Sequence, residues 1–485
     1  MRRGHGHLDP DPSRVVARLF LPGEELAQPR SRASAIVARL LALPEDDVQR
    51  MAVRLRRDFS SRHRDYPRLL ATNAGIISSR LDDAPTLTDA RAAVLGATFT
   101  AEFAVEGAAL CNPSAVLHPD QTSLGAGQVR VALSLRGIGE GHLSSIGFCS
   151  AVAGPGATWS FETRAVPVVA GITGGSHWRR AHFRAVLAEG GSIDEVASTV
   201  LRALPTTFEA ADLERAVAQV HPNLVSRGGG HATVDLLRQL ASSAYEVTFP
   251  SDVELAQQVL LPTAAEESHG MEDARFVRFV DDDGSTDYRA TYTAYDGRNI
   301  APRLLTSPDL RVFRAHRLAG PAAHNKGMAL FPRQVAGRHL ALCRTDGETT
   351  GVASSKDGYL WGEPRLVQAP STWWELLQVG NCGPPIETGR GWLVLTHGVG
   401  PMRTYSIGAI LLDLDDPSRL VARLAEPLLA PTDSERDGYV PNVLYSCGAI
   451  VHQGTLWLPY GVGDARVAVA SVRLEELLDR MSPCR

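Results

Sequence analysis

Polar groups that could do chemistry recur at related places along this chain of 485 residues. Arg136, Arg344 and His397 each end a short β-like run, and further polar motifs stand 13–24 residues upstream of such ends. These are Asn112-Pro113, Glu272-Asp273-Ala274-Arg275, Asn325-Lys326-Gly327, Gly383-Pro384-Pro385 and Pro441-Asn442. Cations gathered around one carboxylate pair suit an anionic substrate or nucleophile such as phosphate, whose oxygens take charge-assisted bonds from Arg and Lys. Taken singly, each position reads as a strand-end residue facing solvent. Five in register point to a shared site.

The elements that must position them are five short strands followed by glycine turns. Val129–Arg136 alternates apolar and polar with a period of two. The others are Tyr288–Tyr295, His339–Arg344, Trp392–His397 and Leu456–Tyr460, and successive ends lie 159, 49, 53 and 63 residues apart. Repeats of about 40–50 residues built of several strands suggest propeller blades, with strand ends converging on a central channel. A β-sandwich with the same strand-and-turn texture is the alternative.

Helical patterns lie outside this repeat. Ile36, Val37, Leu40, Leu41, Val48, Met51 and Leu55 recur at helical spacing, and Pro44 followed by Glu45, Asp46 and Asp47 marks a helix start. A second helical region spans about 176–244, where Ser192–Glu195 and Thr206–Glu209 fit capping boxes. It explains the long first interval as an insertion after the first repeat.

These motifs resemble glycoside hydrolase family 130, whose members are mostly β-mannoside phosphorylases with some β-mannosidases. Gly270-Met271-Glu272-Asp273-Ala274-Arg275 is similar to the family's G-x-E-D-P-R. The likeness continues through Lys326–Pro332, Gly383–Leu393, Thr396-His397-Gly398, Leu411–Pro417 and Tyr460–Asp464, with Cys111–Ser114 and Ser134–Arg136 similar to the family's first blade. It covers about 106–165 and 250–475. It implies a mainly β fold, a five-bladed β-propeller; the helical N-terminal region expected at 1–105, the helical insertion at 166–245 and the C-terminal tail at 476–485 lie outside that core, and the resemblance assigns them nothing. The propeller itself would take 106–165 and 246–475.

The resemblance implies an inverting phosphorolysis of a β-mannoside to mannose 1-phosphate. Asp273 would be the acid, acting through a hydroxyl of the bound mannose, and phosphate would attack the opposite face. Lys326, Arg344 and His397 would hold phosphate, with Gln378 where phosphorylases commonly carry a lysine. Asn112, Arg136, Glu272, Arg275, Tyr405 and Asp464 would line the sugar site. Hydrolysis is the alternative, with Asp296, Asp346, Glu435 or Asp464 as base by residue type, and a non-catalytic sugar-binding propeller is another.

Composition sets the frame. A net charge of −5 argues against a nucleic-acid surface, and 44 glycines with 30 prolines favour a turn-rich fold. No apolar run suggests a secretory signal or a membrane span, and six scattered cysteines without C-x-x-C predict reduced thiols in a cytoplasmic protein. No metal or cofactor is expected, inorganic phosphate being the co-substrate and a β-mannoside oligosaccharide the partner. His177, His182 and His231 lack metal-ligand spacing. Gly137–Gly141 lacks the dinucleotide pattern, Gly228–His231 reads as a turn, and Arg54, Arg56, Arg57, Arg62 and Arg64 form a solvated basic face. The helical additions offer a place for contacts between copies in a homo-oligomer.

Overall fold

The computed structural model describes residues 1–22, 32–80, 86–164, 166–191 and 193–484. The chain divides into two compact units. One holds Met1–Pro10, Ala108–Arg164 and Gly171–Arg485, the other Asp11–Gly107 and Ala165–Ala170.

The smaller unit packs the helices Arg32–Leu41, Glu45–Phe59, Tyr66–Ser78 and Asp89–Thr98 beside an antiparallel strand pair, Val15–Leu19 with Thr100–Ala104. Its core contains Val37, Leu40, Val48, Ile77, Leu95 and Phe99. The start at Glu45 follows from the three acids of its first turn, which complement the helix dipole. Gly96 allows two helices to touch, since a Cβ there would lie 2.1 Å from the Leu70 carbonyl oxygen.

The larger unit is mainly β. Among the described residues its strands form five antiparallel meanders. The first comprises Ala109–Leu117, Val129–Ile138, Ser144–Gly154 and Thr158–Phe161. The second is Gly270–Val280, Thr286–Tyr295, Ile300–Ser307 and Val312–Arg317. Ala329–Leu330, His339–Cys343, Thr350–Ser355 and Arg365–Gln368 make the third. Gln378–Asn381 opens the fourth, followed by Gly391–Val399, Tyr405–Leu412 and Leu420–Arg423. The fifth runs through Leu444–Tyr445, Thr455–Val462 and Arg466–Arg473 and is completed by Arg2–Leu8 from the start of the chain. Each strand run expected from the sequence is thus the second of its meander. The upstream polar motifs lie on or beside the first.

Residues 171–248 carry the helices Arg180–Glu189, Glu195–Ala203, Ala210–Ala218 and Gly230–Ser242 around Trp178, Phe183, Val200, Phe208 and Leu237. Two strands bound them: Ile172–Gly175 pairs with Tyr245–Thr248, which pairs with Val312–Arg317 and so widens the second meander. The capping expectations shift. Ser192 lies outside the described residues, and the cap of Glu195–Ala203 is Asp194, which accepts from the Ala197 amide at 2.8 Å. Thr207 and Phe208 pair with Arg179 and Trp178, so Glu209 and Asp212 form the next capping box three residues later.

Two further expectations are corrected. The first 105 residues are not wholly helical, because Arg2–Leu8 finds a partner strand in Arg466–Arg473. Of the C-terminal tail expected at 476–485, the described residues 476–484 pack against the larger unit's sheets. Leu477 and Leu478 are buried with the fourth and fifth meanders, and Ser482–Pro483 pairs with Leu420–Arg423.

Glu435 pins the N-terminal strand. It takes Arg3 Nη2 at 2.7 Å and the Tyr460 hydroxyl at 2.8 Å. Burial would raise its pKa, but the bonds from Arg3, Thr432 and Tyr460 win and hold it near 2. A depressed carboxylate contributes stability above its unfolded pKa, and that contribution disappears as pH falls through the folded value. Glu435→Gln is therefore expected to cost about 1–3 kcal/mol at pH 7 in denaturant melts. The gap to the wild type should shrink below about pH 4.5 and close towards pH 2. A gap independent of pH would refute the charge-assisted anchor.

Candidate active site

The site begins with backbone that leaves the sheet ladder. Register breaks between Cys111 and Ser114 in the first meander and between Glu272 and Arg275 in the second. Asn112 and Asp273 at these bulges have φ of 49° and 56°. Asn325, Asn442 and Asp464 share the left-handed region, at 65°, 62° and 47°. Asn and Asp tolerate it better than other side-chain-bearing residues, and bulges re-aim side chains. Gly270, at φ 138°, lets the second meander close on the first, since a Cβ there would lie 2.9 Å from the Ser144 amide nitrogen.

These bends bring the acids and arginines together. Asn112 Nδ2 donates to Asp273 Oδ1, Arg136 Nη1 lies 3.4 Å from the same oxygen, and Arg275 Nη2 lies 3.6 Å from Oδ2. Arg136 also donates to Glu272 Oε1 at 2.7 Å and to Ser144 Oγ at 2.9 Å. Lys326 Nζ reaches Glu272 Oε2 at 2.5 Å. Arg275 is fully buried and donates to the carbonyls of Asp273 and Cys382 and to the Tyr445 hydroxyl, each at 2.9 Å.

A second cluster adjoins the first. Gly380 sits between Arg344 and His397: a Cβ on it would lie 2.5 Å from Arg344 Nε and 2.6 Å from His397 Cε1. Arg344 Nη2 donates to the Gly347 carbonyl at 2.6 Å, while its buried Nε has no partner. His397, packed beside the Asn381 backbone, makes no well-formed hydrogen bond through either ring nitrogen. Asn381 Nδ2 donates to the Gly327 carbonyl at 2.8 Å, leaving Oδ1 unpartnered, as is Asn112 Oδ1. Buried polar groups are normally satisfied, so such a concentration fits a site built for a polar ligand. Tyr405 stacks on His397 with ring centroids 6.0 Å apart, and its hydroxyl lies 3.5 Å from Gln378 Nε2.

Electrostatics refine the sequence expectation. His397 is not one of the gathered cations: burial, then the charges of Arg344 and Arg275, push its pKa well below the usual value, so it is a neutral imidazole. It can still donate one hydrogen bond. Burial would raise the Asp273 pKa, but Arg136, Arg275, Lys326 and the bond from Asn112 bring it below the ordinary aspartate value. Asp464 goes the other way, up to about 6, through burial and the nearby Asp273 and Glu272 charges, partly offset by Arg136 and Arg403.

Every residue expected at the site thus lies in or beside these clusters. The candidate bases do not all join them. Asp296 accepts from the Arg298 and Asn299 amides of its own turn, Asp346 from those of Glu348 and Thr349, and Glu435 is taken by Arg3. Only Asp464 among the four stands by Asp273. Sequence reading missed Asn381, which immediately precedes the Cys382-Gly383-Pro384 motif, and Tyr445, three residues beyond Asn442. Their pattern of neighbours was the available signal. No group of three or more His, Cys, Asp or Glu side chains suited to a metal occurs among the described residues.

An aspartate wrapped by arginines thus lies beside Arg344 and His397, whose unpartnered buried nitrogens suit a polar ligand. The sequence profile described as beta-1,4-mannooligosaccharide phosphorylase matches residues 239–483, and the chain belongs to that family, glycoside hydrolase family 130. A 1,2-beta-oligomannan phosphorylase of Thermoanaerobacter sp. is 34% identical over 229 residues, covering 46% of this chain and 75% of that protein. A beta-1,2-mannobiose phosphorylase of Listeria innocua is 32% identical over 231 residues, 46% of this chain and 63% of its own. The structure of a Listeria innocua beta-1,2-mannobiose phosphorylase with beta-1,2-mannobiose aligns with 21% identity and TM-score 0.44, over 78% of this chain and 92% of that one.

The raised Asp464 pKa has a kinetic consequence. Where Asp464 lines a sugar site, as the family resemblance implies, its ionised form accepts hydroxyls more strongly than the neutral acid, so kcat/KM for a saccharide should climb through about pH 6. Asp464→Asn should flatten that limb and lower kcat/KM about 10–100-fold, the loss of a hydrogen bond to a charged group. An unchanged limb in the variant would assign the titration elsewhere.

Proposed function

We propose that this protein is an inverting β-mannoside phosphorylase whose five meanders are the blades of a β-propeller. Contacts between every neighbouring pair support the ring. Ser144 pairs with Gly270, and Val280 bridges to Arg333. The Val379 amide donates to the Glu348 carbonyl at 2.9 Å, Tyr405 bridges to Val443, and the Leu110 amide donates to Ala465 at 3.2 Å. The last contact joins the fifth meander back to the first.

The observation that carries the activity is the adjacency of Asp273 to Arg344 and His397, whose buried Nε and ring nitrogens lack partners. In the proposed reaction, phosphate held by Lys326, Arg344, His397 and Gln378 attacks the anomeric carbon from the face opposite the leaving group. The bond from that carbon to the phosphate oxygen forms as the bond to the leaving oxygen breaks. A mannose hydroxyl gives its proton to the leaving oxygen and takes one from the Asp273 carboxyl, so a β-mannoside yields α-mannose 1-phosphate and a free saccharide. Asp273 must be protonated to do this. Bound phosphate brings negative charge among the same cations, which raises the aspartate pKa towards that state. Asn112, Arg136, Glu272, Arg275, Tyr405 and Asp464 hold the mannosyl unit. We place the enzyme in the cytoplasm, in keeping with cysteines at 111, 343, 382, 447 and 484 that form no disulfide.

Hydrolysis is the second reading, favoured by the uncharged Gln378 and by Asp464 beside the site. A product assay on β-1,2- and β-1,4-mannobiose with and without phosphate separates the two. Mannose 1-phosphate released only with phosphate is the expected result. Mannose released at a rate indifferent to phosphate would replace phosphorolysis by hydrolysis. Saccharide binding without turnover would leave a binding propeller.

A further inference from the structure

Two turns at the site's edge share one backbone. Gly139–Leu143 joins the second and third strands of the first meander, and Gly400–Thr404 does the same in the fourth. The leading glycines have φ/ψ of −101°/−163° and −105°/−164°. Gly141 and Met402 follow at 67°/21° and 57°/25°, then His142 and Arg403 at φ 61° and 52°. The closing bonds match as well: Gly139 N to Leu143 O and Gly400 N to Thr404 O are both 3.0 Å. Such paired left-handed turns ordinarily take Asn and Gly. The first turn has glycine at the leading position, but the second places methionine and arginine at both.

Met402 is 86% exposed and Trp373 62% exposed. The Trp373–Trp374 backbone packs against the start of the turn, since a Cβ on Gly400 would lie 3.3 Å from the Trp373 carbonyl oxygen. Strained backbone that displays side chains to solvent marks function more often than stability. The location is specific. Arg403 is close enough to Asp464 to lower its pKa. On the other flank His142 hydrogen-bonds the Tyr439 hydroxyl, and the Val440 amide donates to the Gly463 carbonyl at 2.8 Å, next to Asp464. The two turns therefore flank the Asp464 edge, one bringing an arginine with exposed apolar surface, the other a histidine–tyrosine pair.

We propose that the Met402–Arg403 turn, with Trp373 on its side and the His142–Tyr439 pair opposite, is the subsite that binds the leaving saccharide and sets which acceptor is used. The inference rests on the phosphorylase reading for its kinetic form. Arg403 donates to acceptor hydroxyls, and Met402 with Trp373 covers an apolar sugar face. Carbohydrates present both kinds of surface, and aromatic and thioether groups suit the second.

The test is synthesis from α-mannose 1-phosphate with mannose or β-1,2-mannobiose as acceptor, in wild type, Met402→Gly and Arg403→Gly. Glycine relieves the left-handed backbone, so both variants should melt no lower than wild type. Arg403→Gly should raise the acceptor KM at least tenfold while the mannose 1-phosphate KM stays within about twofold. Unchanged acceptor KM would overturn the subsite, as would an equal rise in both constants. Calorimetric titration of the same variants with β-1,2-mannobiose separates this from failure of the phosphorylase reading. Were the wild type to show no synthesis, a tenfold loss of affinity in Arg403→Gly would still support the subsite and equal affinity would reject it.

Discussion

Everything at the site depends on what the bulged first strands do with the hydrogen-bonding groups they withdraw from the sheets. Each meander is an ordinary antiparallel ladder over most of its length, but at Asn112 and Asp273 the ladder breaks and the freed groups bond across to other meanders. Asn112 reaches Asp273, the Phe276 amide donates to Ser114 Oγ, and the Cys447 amide donates to the Pro113 carbonyl. Arg275 then binds the second, fourth and fifth meanders at one point through Asp273, Cys382 and Tyr445. Unmade hydrogen bonds in buried backbone are costly, so this cross-bonding fixes where the carboxylates stand.

That constraint also explains the electrostatics. Asp273 is buried, which alone would neutralise it, yet Arg136, Arg275 and Lys326 keep it ionised, Arg275 also satisfying the displaced Asp273 carbonyl. Asp464, with a smaller share of that positive charge, titrates near 6. Two carboxyls a short distance apart thus hold protons differently because of which strand ends deliver cations to them. An anion entering the Arg344–His397 cradle shifts this balance, and so links occupancy of one half of the site to protonation in the other.

Much of this was legible in the sequence, for physical reasons that differ by residue. The second strands stood out as short β-like runs ending near glycine turns, with a clean period of two in Val129–Arg136, and the Glu272-Asp273-Ala274-Arg275 run through its charge density beside a glycine. The first strands were harder. Gln378–Asn381 and Leu444–Tyr445 are only four and two residues long, so Asn381 and Tyr445 carried no periodic signal. The neutrality of His397 was not readable at all, because it depends on burial and on arginines brought from elsewhere in the chain. The N-terminal strand Arg2–Leu8 escaped notice for a related reason: its partner lies more than 450 residues away.

The central claim is that the Asp273 carboxyl supplies the proton for glycosidic cleavage. Asp273→Asn keeps the size and can keep the bond to Asn112 but cannot donate an acidic proton. Measured together, phosphate-dependent release of mannose 1-phosphate and calorimetric binding of β-1,2-mannobiose test this directly. The account predicts a loss of turnover of about 10²–10⁴-fold, the range of a general acid, with affinity for the saccharide within about tenfold of wild type. A variant that retains more than a tenth of wild-type turnover would contradict it.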